Sequence, residues 1–202
     1  LFVAGYHLTP LIAEFLAGHR AMRVEFVLTA APLDMFENHI DLSFQSGTIP
    51  DSSLVAKRVA TTRWMMCASP SYLATAGIPK ALEDLTLHNC LNFLAGSFRS
   101  SWPVRHAGQT QALDVKGNVG STSAELLRSF AIAGLGVVRL SEMHVGPDIA
   151  SGRLIPVLPE FQTDSEEPLF VVYPSKRNLS LRVRTFLDFM EERIHKTWPG
   201  KD

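Results

Sequence analysis

Cysteine is scarce in this chain, with two in 202 residues. Cys67 lies in the apolar run Trp64–Ala68, and Cys90 stands between Asn89 and Leu91. Without C-x-x-C spacing they give no metal site, and buried free thiols in a reducing cytoplasm are what they support best. An excess of charge of either sign is missing too: 19 Lys and Arg face 20 Asp and Glu, a formal net charge of −1. So balanced a chain is not a cationic nucleic-acid binder, and any DNA contact needs residues outside it. No apolar run approaches membrane-spanning length, and no charged leader precedes the first strand, so no membrane partner is expected. The chain opens on L-F-V-A without a start methionine, which leads us to expect a piece of a longer protein.

Signatures of catalysis are wanting as well. His7, His19, His39, His88, His106, His144 and His195 are scattered, with no acid or cysteine close by in a recognisable pattern. Neither G-x-S-x-G nor H-E-x-x-H occurs. No G-x-G-x-x-G follows a strand, and Gly134-Leu135-Gly136 ends a helix instead of opening one. No catalytic residue, metal or cofactor is expected, and an enzyme is the weakest reading. Repeats and low-complexity tracts are absent.

What is present is enough apolar content to build a core, 46% hydrophobic against 19% charged, in one large domain or two small ones. Residues 1–4 read as a strand. Thr9 is expected to cap a helix with Pro10 at its first position, Leu8, Leu11, Ile12, Phe15 and Leu16 on one face and Gly18 at its end. Arg23 to Leu28 alternate as a half-buried strand, Pro32 to His39 suit a short helix, and Ile40 to Phe44 the next strand. That order predicts a parallel sheet with helices on its faces. Leu54 to Ala68 is long for one strand and suggests passage between two lobes. Short helices at Pro70–Ala76 and Lys80–Leu85 follow, then strands at Cys90–Leu94, Trp102–Arg105, Ala112–Val115 and Asn118–Ser121. Glu142–Ile149 reads as a helix, Arg153–Leu158 and Leu169–Tyr173 as strands. The last helix is capped by Ser180 and carries Val183, Phe186, Leu187, Met190 and Ile194 as its apolar stripe.

Two stretches could serve a ligand. The first runs from Ser121 to Leu158, where Ser123 caps a helix with Leu126, Leu127, Phe130 and Ala131 at helical spacing. Hydroxyls, unpaired N–H groups and the positive end of a helix dipole there would suit an anion, although an ordinary N-cap explains the same residues. The second is the loop Q-S-G-T-I-P-D-S-S (45–53), which follows a strand, as ligand loops of open α/β sheets do, but is equally a plain polar surface loop.

Several segments taken together resemble the effector-binding domain of LysR-type transcriptional regulators. P-L-I-A-E-F-L (10–16), I-D-L-S-F (40–44) and P-D-S-S-L-V-A-K-R (50–58) match its first lobe. A-S-P-S-Y-L (68–73), L-E-D-L-T-L-H-N-C-L (82–91), A-G-L-G-V-V-R-L (133–140) and S-G-R-L-I-P-V-L (151–158) match the second, and V-Y-P-S-K-R (172–177) the return. They run in the family's order over nearly the whole chain.

The resemblance implies an α/β, two-lobed fold like type 2 periplasmic binding proteins with a cleft between the lobes. Lobe I would be 1–62 plus 169–202 and lobe II 63–168, with the N-terminal winged helix-turn-helix absent from this chain. Carried over by position, the cleft would be lined by the turn Gly5 to His7, by Thr29 and Ala30, and by Phe44, Ser46, Gly47 and Thr48. Thr62, Phe93, Ser121, Thr122 and Ser123 would complete it. A small polar or anionic organic effector suits these hydroxyls and amides, and Phe44 or Phe93 would face its apolar body unless they are core. Two departures stand out. Ala4 to His7 is several residues shorter than the family's loop. Ser46 and Thr122-Ser123 stand where many relatives carry Arg and Asn-Asp, which disfavours a doubly charged ligand. Arg139 is a compensating cation, with a surface position or a pair with Glu142 as the alternatives. The resemblance further implies a cytoplasmic homodimer, tetrameric at full length, touching DNA only through the missing domain. A solute-binding protein of a transport system is the alternative.

Overall fold

The computed structural model describes residues 7–29, 33–47, 49, 54–94, 101–164, 166–174 and 179–197. The chain divides into two compact units, Leu1–Thr62 with Glu167–Asp202, and Arg63–Glu166. The extended stretch 54–68 is two strands, β2 (Val55–Thr62) and β3 (Trp64–Ala68), and the division falls between them.

In the first unit, helix α1 (Thr9–Gly18) buries Leu11, Ile12 and Phe15, the face expected from their spacing. Its cap is not Thr9: the helix begins there, and the buried Leu8 that stands at the cap position makes no side-chain cap hydrogen bond. Pro10 explains how the start survives uncapped, since it presents no N–H to be satisfied. Phe15 packs edge-on to Phe186, centroids 4.9 Å apart, and against Phe189 at 5.2 Å. Both belong to the long C-terminal helix α5 (Leu181–Thr197), whose Leu187, Met190 and Ile194 are buried. Ser180 caps it, its Oγ accepting from the Val183 N–H.

The sheet of this unit corrects the expected parallel arrangement. Strand β10 (Glu167–Tyr173) lies between β1 (Ser43–Ser46) and β2, antiparallel to both. A strand arriving from much later in the chain therefore occupies the middle, where no adjacent helix dictates direction. Residues 23–28 do not form the expected strand. Phe26, Val27 and Leu28 are 51%, 60% and 62% exposed, and no described residue offers them a ladder. The expected helix 32–39 is a capped turn over residues 35–39: Asp34 Oδ1 accepts from the N–H groups of Phe36 and Glu37, and His39 then takes φ +53°. That left-handed residue stops propagation after one turn. The strand expected at residues 1–4 lies outside the described residues.

The second unit is built on a five-stranded mixed sheet in the order β7-β4-β8-β3-β9. Strands β4 (Cys90–Phe93), β7 (Gly120–Ser121) and β8 (Val137–Ser141) are parallel, while β3 and β9 (Ile155–Pro156) run in alternating directions beside β8. β9 is shorter than the apolar pattern 153–158 suggests, for Pro156 brings no donor to a ladder and Leu158 has φ +49°. Both sheet faces are covered. On one, Leu91, Val138 and Leu140 meet Leu127 and Ala131 of α3 (Ala124–Ile132) and Val145 of α4 (Glu142–Ala150). On the other, Met66, Cys90 and Val137 meet Trp102 and Val104 of β5 (Ser101–His106), with Leu73 of α2 (Pro70–Ala76) in the same core. β5 pairs with β6 (Gln109–Asp114) as a hairpin whose two turn residues, Ala107 and Gly108, both have positive φ, the geometry that matches strand twist. Two glycines let the chain close around the start of β4: a Cβ on Gly117 would lie 1.9 Å from the Cys90 carbonyl oxygen, and one on Gly136 2.1 Å from that of Asn89.

Candidate functional site

Within the first unit, β1 and β2 both end where β10 begins. Ser46 faces Leu169 across one ladder and Thr62 faces Glu167 across the other. Gly47 continues β1 with φ +84°, which favours glycine, and its N–H donates to the Pro168 carbonyl at 3.0 Å. Ser46, Gly47 and Thr62 therefore gather at one end of this sheet, Ser46 exposed and Thr62 buried. Phe44 lies two residues further in, half-buried and opposite Val171. His7 and Thr29 are half-buried and belong to no strand. Thr48, Gly5 and Ala30 lie outside the described residues. A shallow concavity of about 290 Å³ between the end of α1 and the start of α5 is lined by His19, Met22 and Leu181, with none of the expected residues.

In the second unit the expected residues meet at the carboxyl ends of β4 and β7, where Phe93 pairs with Ser121 and Asn92 with Gly120. Ser121 Oγ accepts from the Ser123 N–H at 2.9 Å, and Ser123 Oγ accepts from the Leu126 N–H at 3.3 Å. Two of the three hydroxyls thus build the helix start itself, the ordinary capping role. Thr122 is exposed and takes no part in that capping. Glu125 already places a carboxylate in the first turn, where it holds Arg128 at 2.7 Å. Phe93 is half-buried, its ring 6.3 Å from that of Trp64, so it is neither wholly core nor wholly free.

Two side chains here escaped the expected set or its placement. Arg139 is not on the surface: it is 6% exposed and holds its guanidinium 5.0 Å over the Trp64 ring. Asn92 is 7% exposed, and among the described residues its Oδ1 has no hydrogen-bond partner. The signal was present in sequence as single polar residues inside apolar strand runs, C-L-N-F and V-V-R-L. Only register shows that they are neighbours.

The thiols are structural. Cys67 and Cys90 are both free and fully buried. Burial raises each thiol to about 12, with the nearby Asp148 carboxylate adding to the effect at Cys67. No group of three or more His, Cys, Asp or Glu among the described residues could hold a metal ion. No helix among them is long and apolar enough to cross a membrane.

Comparison with known proteins places this geometry. The LysR substrate binding domain profile matches residues 2–194. The HTH-type transcriptional regulator CrgA of Neisseria meningitidis serogroup B is 35% identical over 187 residues, 93% of this chain and 62% of the relative. The HTH-type transcriptional activator TtdR of Escherichia coli K12 is 27% identical over 200 residues, 96% of this chain and 64% of the relative. The chain thus spans a little under two thirds of the length of these relatives, which are regulators and not transport proteins. The solved regulatory domain of CrgA superposes with a TM-score of 0.87 at 34% identity, covering 95% of this chain and 94% of that one. Full-length AphB, a virulence activator of Vibrio cholerae, gives a TM-score of 0.81 at 21% identity, over 94% of this chain and 64% of that one, a likeness of fold.

Proposed function

The chain belongs to the LysR substrate binding domain family, and on that premise we propose how it works: it takes up a small polar or anionic organic effector and does not change it chemically. One observation carries this reading. In each unit the expected hydroxyls and amides collect at strand ends: Ser46, Gly47 and Thr62 in the first, Phe93, Ser121 and Thr122 in the second. Open α/β sheets hold ligands at such places. Hydroxyls and main-chain N–H groups orient a ligand without supplying a nucleophile or a base, which suits a sensor.

The signal would be a shift in population. An effector that binds one arrangement of the units better than another moves the equilibrium by that difference, and one that binds both equally moves nothing. Exposed Phe26, Val27 and Leu28 on the first unit and Leu126 on the second supply apolar surface for a homodimer. The dimer, assembled into a tetramer at full length, would pass the shift to a DNA-binding part outside this sequence. Buried free thiols suit a cytoplasmic setting. A thermal-shift screen of small organic acids tests the proposal, since a ligand specific for the native state raises the melting temperature. At least one acid should raise it in a saturable way, and a flat response across a broad panel would reject the sensing role.

A further inference from the structure

Two surfaces that effector sensing leaves unused are complementary. The first is the concavity of about 290 Å³ in the first unit, largely apolar and lined by Met22 and Leu181 together with His19, Arg20 and Arg182. One wall is held in place. His19 Nδ1 donates to the Phe15 carbonyl at 2.9 Å, its ring stacks on Phe15 at 4.3 Å, and the Met22 N–H closes a turn onto the His19 carbonyl. No carboxylate is among the lining residues. Arg23, Arg63, Arg105, Arg128, Arg153 and Arg193 all pair with acids. Arg20 and Arg182 are exposed and make no ion pair among the described residues.

The second surface is a projection on the second unit. In the short 3-10 helix Leu82–Leu87, Leu82 and Leu85 are buried, and His88 just beyond lies 3.1 Å from Tyr72 Oη. Asp84 fixes the entry by accepting from the N–H groups of Lys80 and Ala81. Between these anchors Leu87 is 87% exposed, more than any other large apolar side chain among the described residues. Glu83, four residues earlier, is exposed and makes no ion pair among them either.

A single leucine on a surface needs no explanation. The match between the two surfaces does: an anchored apolar side chain with an unpaired acid nearby, and an apolar hollow with two unpaired guanidiniums. Each has what the other lacks. Surfaces already fixed by their own packing lose little freedom on meeting, and opposite charges steer them together.

We propose that the concavity receives Leu87 of a second copy of this chain, whose Glu83 pairs with Arg20 or Arg182. The contact is heterologous, a projection on one copy against a hollow on the next. It shares no residue with Phe26, Val27, Leu28 or Leu126, and it does not depend on the sensing role. So small a contact is weak by itself, and it joins dimers instead of holding one together.

Sedimentation equilibrium of the chain over a range of concentrations tests this. Average mass should rise with concentration beyond that of Leu87→Glu. Leu87→Glu and the double variant Arg20→Glu with Arg182→Glu should each weaken association about tenfold or more. Their melting temperatures should not change, because all three side chains are exposed. Adding Glu83→Arg to the double variant should restore association. Mixing Leu87→Glu with the double variant should give larger species than either alone, since one keeps the hollow and the other the projection. A mass that does not rise with concentration, unchanged association in either variant, no rescue by the reversed charges, or a mixture no larger than its components would overturn the proposal. Binding of a synthetic peptide with leucine between glutamates, without self-association of the protein, would assign the hollow to a different acidic partner and overturn it too.

Discussion

Arg128 of α3 forks onto Asp148 of α4, its Nε and Nη2 both donating to the carboxylate, the second at 3.0 Å, and Asp148 is wholly inaccessible. Arg153 reaches the same carboxylate at 2.5 Å, and the main-chain N–H groups of Arg153 and Leu154 donate to the Asp148 carbonyl. The hydrogen bonds that Arg128 donates to Asp148 raise its pKa further above its ordinary value. One buried acid thus ties α3, α4 and the turn before β9 into one piece. Asp148→Ala should cost about 3–5 kcal/mol, because it removes the buried carboxylate and leaves the largely desolvated Arg128 charge with Glu125 alone. Arg153 is half exposed, so Arg153→Ala should cost only about 0–1 kcal/mol. Urea denaturation measures both, and equal costs would show that Asp148 is not the hub.

Steric closure around β4 makes a second expectation. Gly117→Ala and Gly136→Ala each place a Cβ about 2 Å from a backbone oxygen that cannot swing aside. Each should destabilise by about 3 kcal/mol or more, whereas Gly18→Ala, which meets nothing within 4 Å, should stay within about 1 kcal/mol of the wild type. Melting temperatures of the three variants decide the point.

The thiols should be silent in the native protein. With both raised to about 12 from the ordinary 9.0 and out of reach of solvent, neither should react with a disulfide reagent at pH 8 except as the chain unfolds. Between pH 9 and 12 the unfolded chain loses these protons and the folded one keeps them, so stability should fall as pH rises through that window. Rapid labelling of native protein would contradict the burial.

His88 gives the opposite dependence. Burial lowers its pKa below 6.5, partly offset by Asp84. Tyr72 Oη accepts from the Asn89 N–H at 2.9 Å and lies 3.1 Å from His88 Nδ1, an arrangement that suits the neutral ring accepting the hydroxyl proton. As pH falls below 6.5 the unfolded chain takes up the proton first, so stability should drop on acidification. His88→Gln should flatten the dependence in urea titrations run from pH 7 to 5. An unchanged slope would assign it to another group.

Thr122 separates binding from stability. Ser121 and Ser123 do the capping at α3 and Thr122 is exposed, so Thr122→Val should leave the melting temperature nearly unchanged. If the effector meets this strand end, affinity for whichever acid the screen finds should fall about three- to tenfold, the value of one hydrogen bond. An unchanged dissociation constant would remove Thr122 from the site.

Local chemistry alone determined much of this protein. Leu11, Ile12 and Phe15 specify the buried face of α1 by their spacing, Ser123 and Ser180 mark the starts of α3 and α5, and Pro70 with Gly77 brackets α2. The ordered family segments carried the assignment that the profile and relatives establish. Tertiary structure decided the rest, because a strand's direction and neighbours depend on partners remote in the chain. Alternation at 23–28 could not supply a ladder, and β10 entered the first sheet antiparallel from far along the sequence. Asp148 reads as an ordinary helical acid until Arg128 folds onto it. Asn92 and Arg139 read as two isolated polar residues until parallel register sets them side by side. Periodicity tells which residues turn inward, and only packing tells what they meet there.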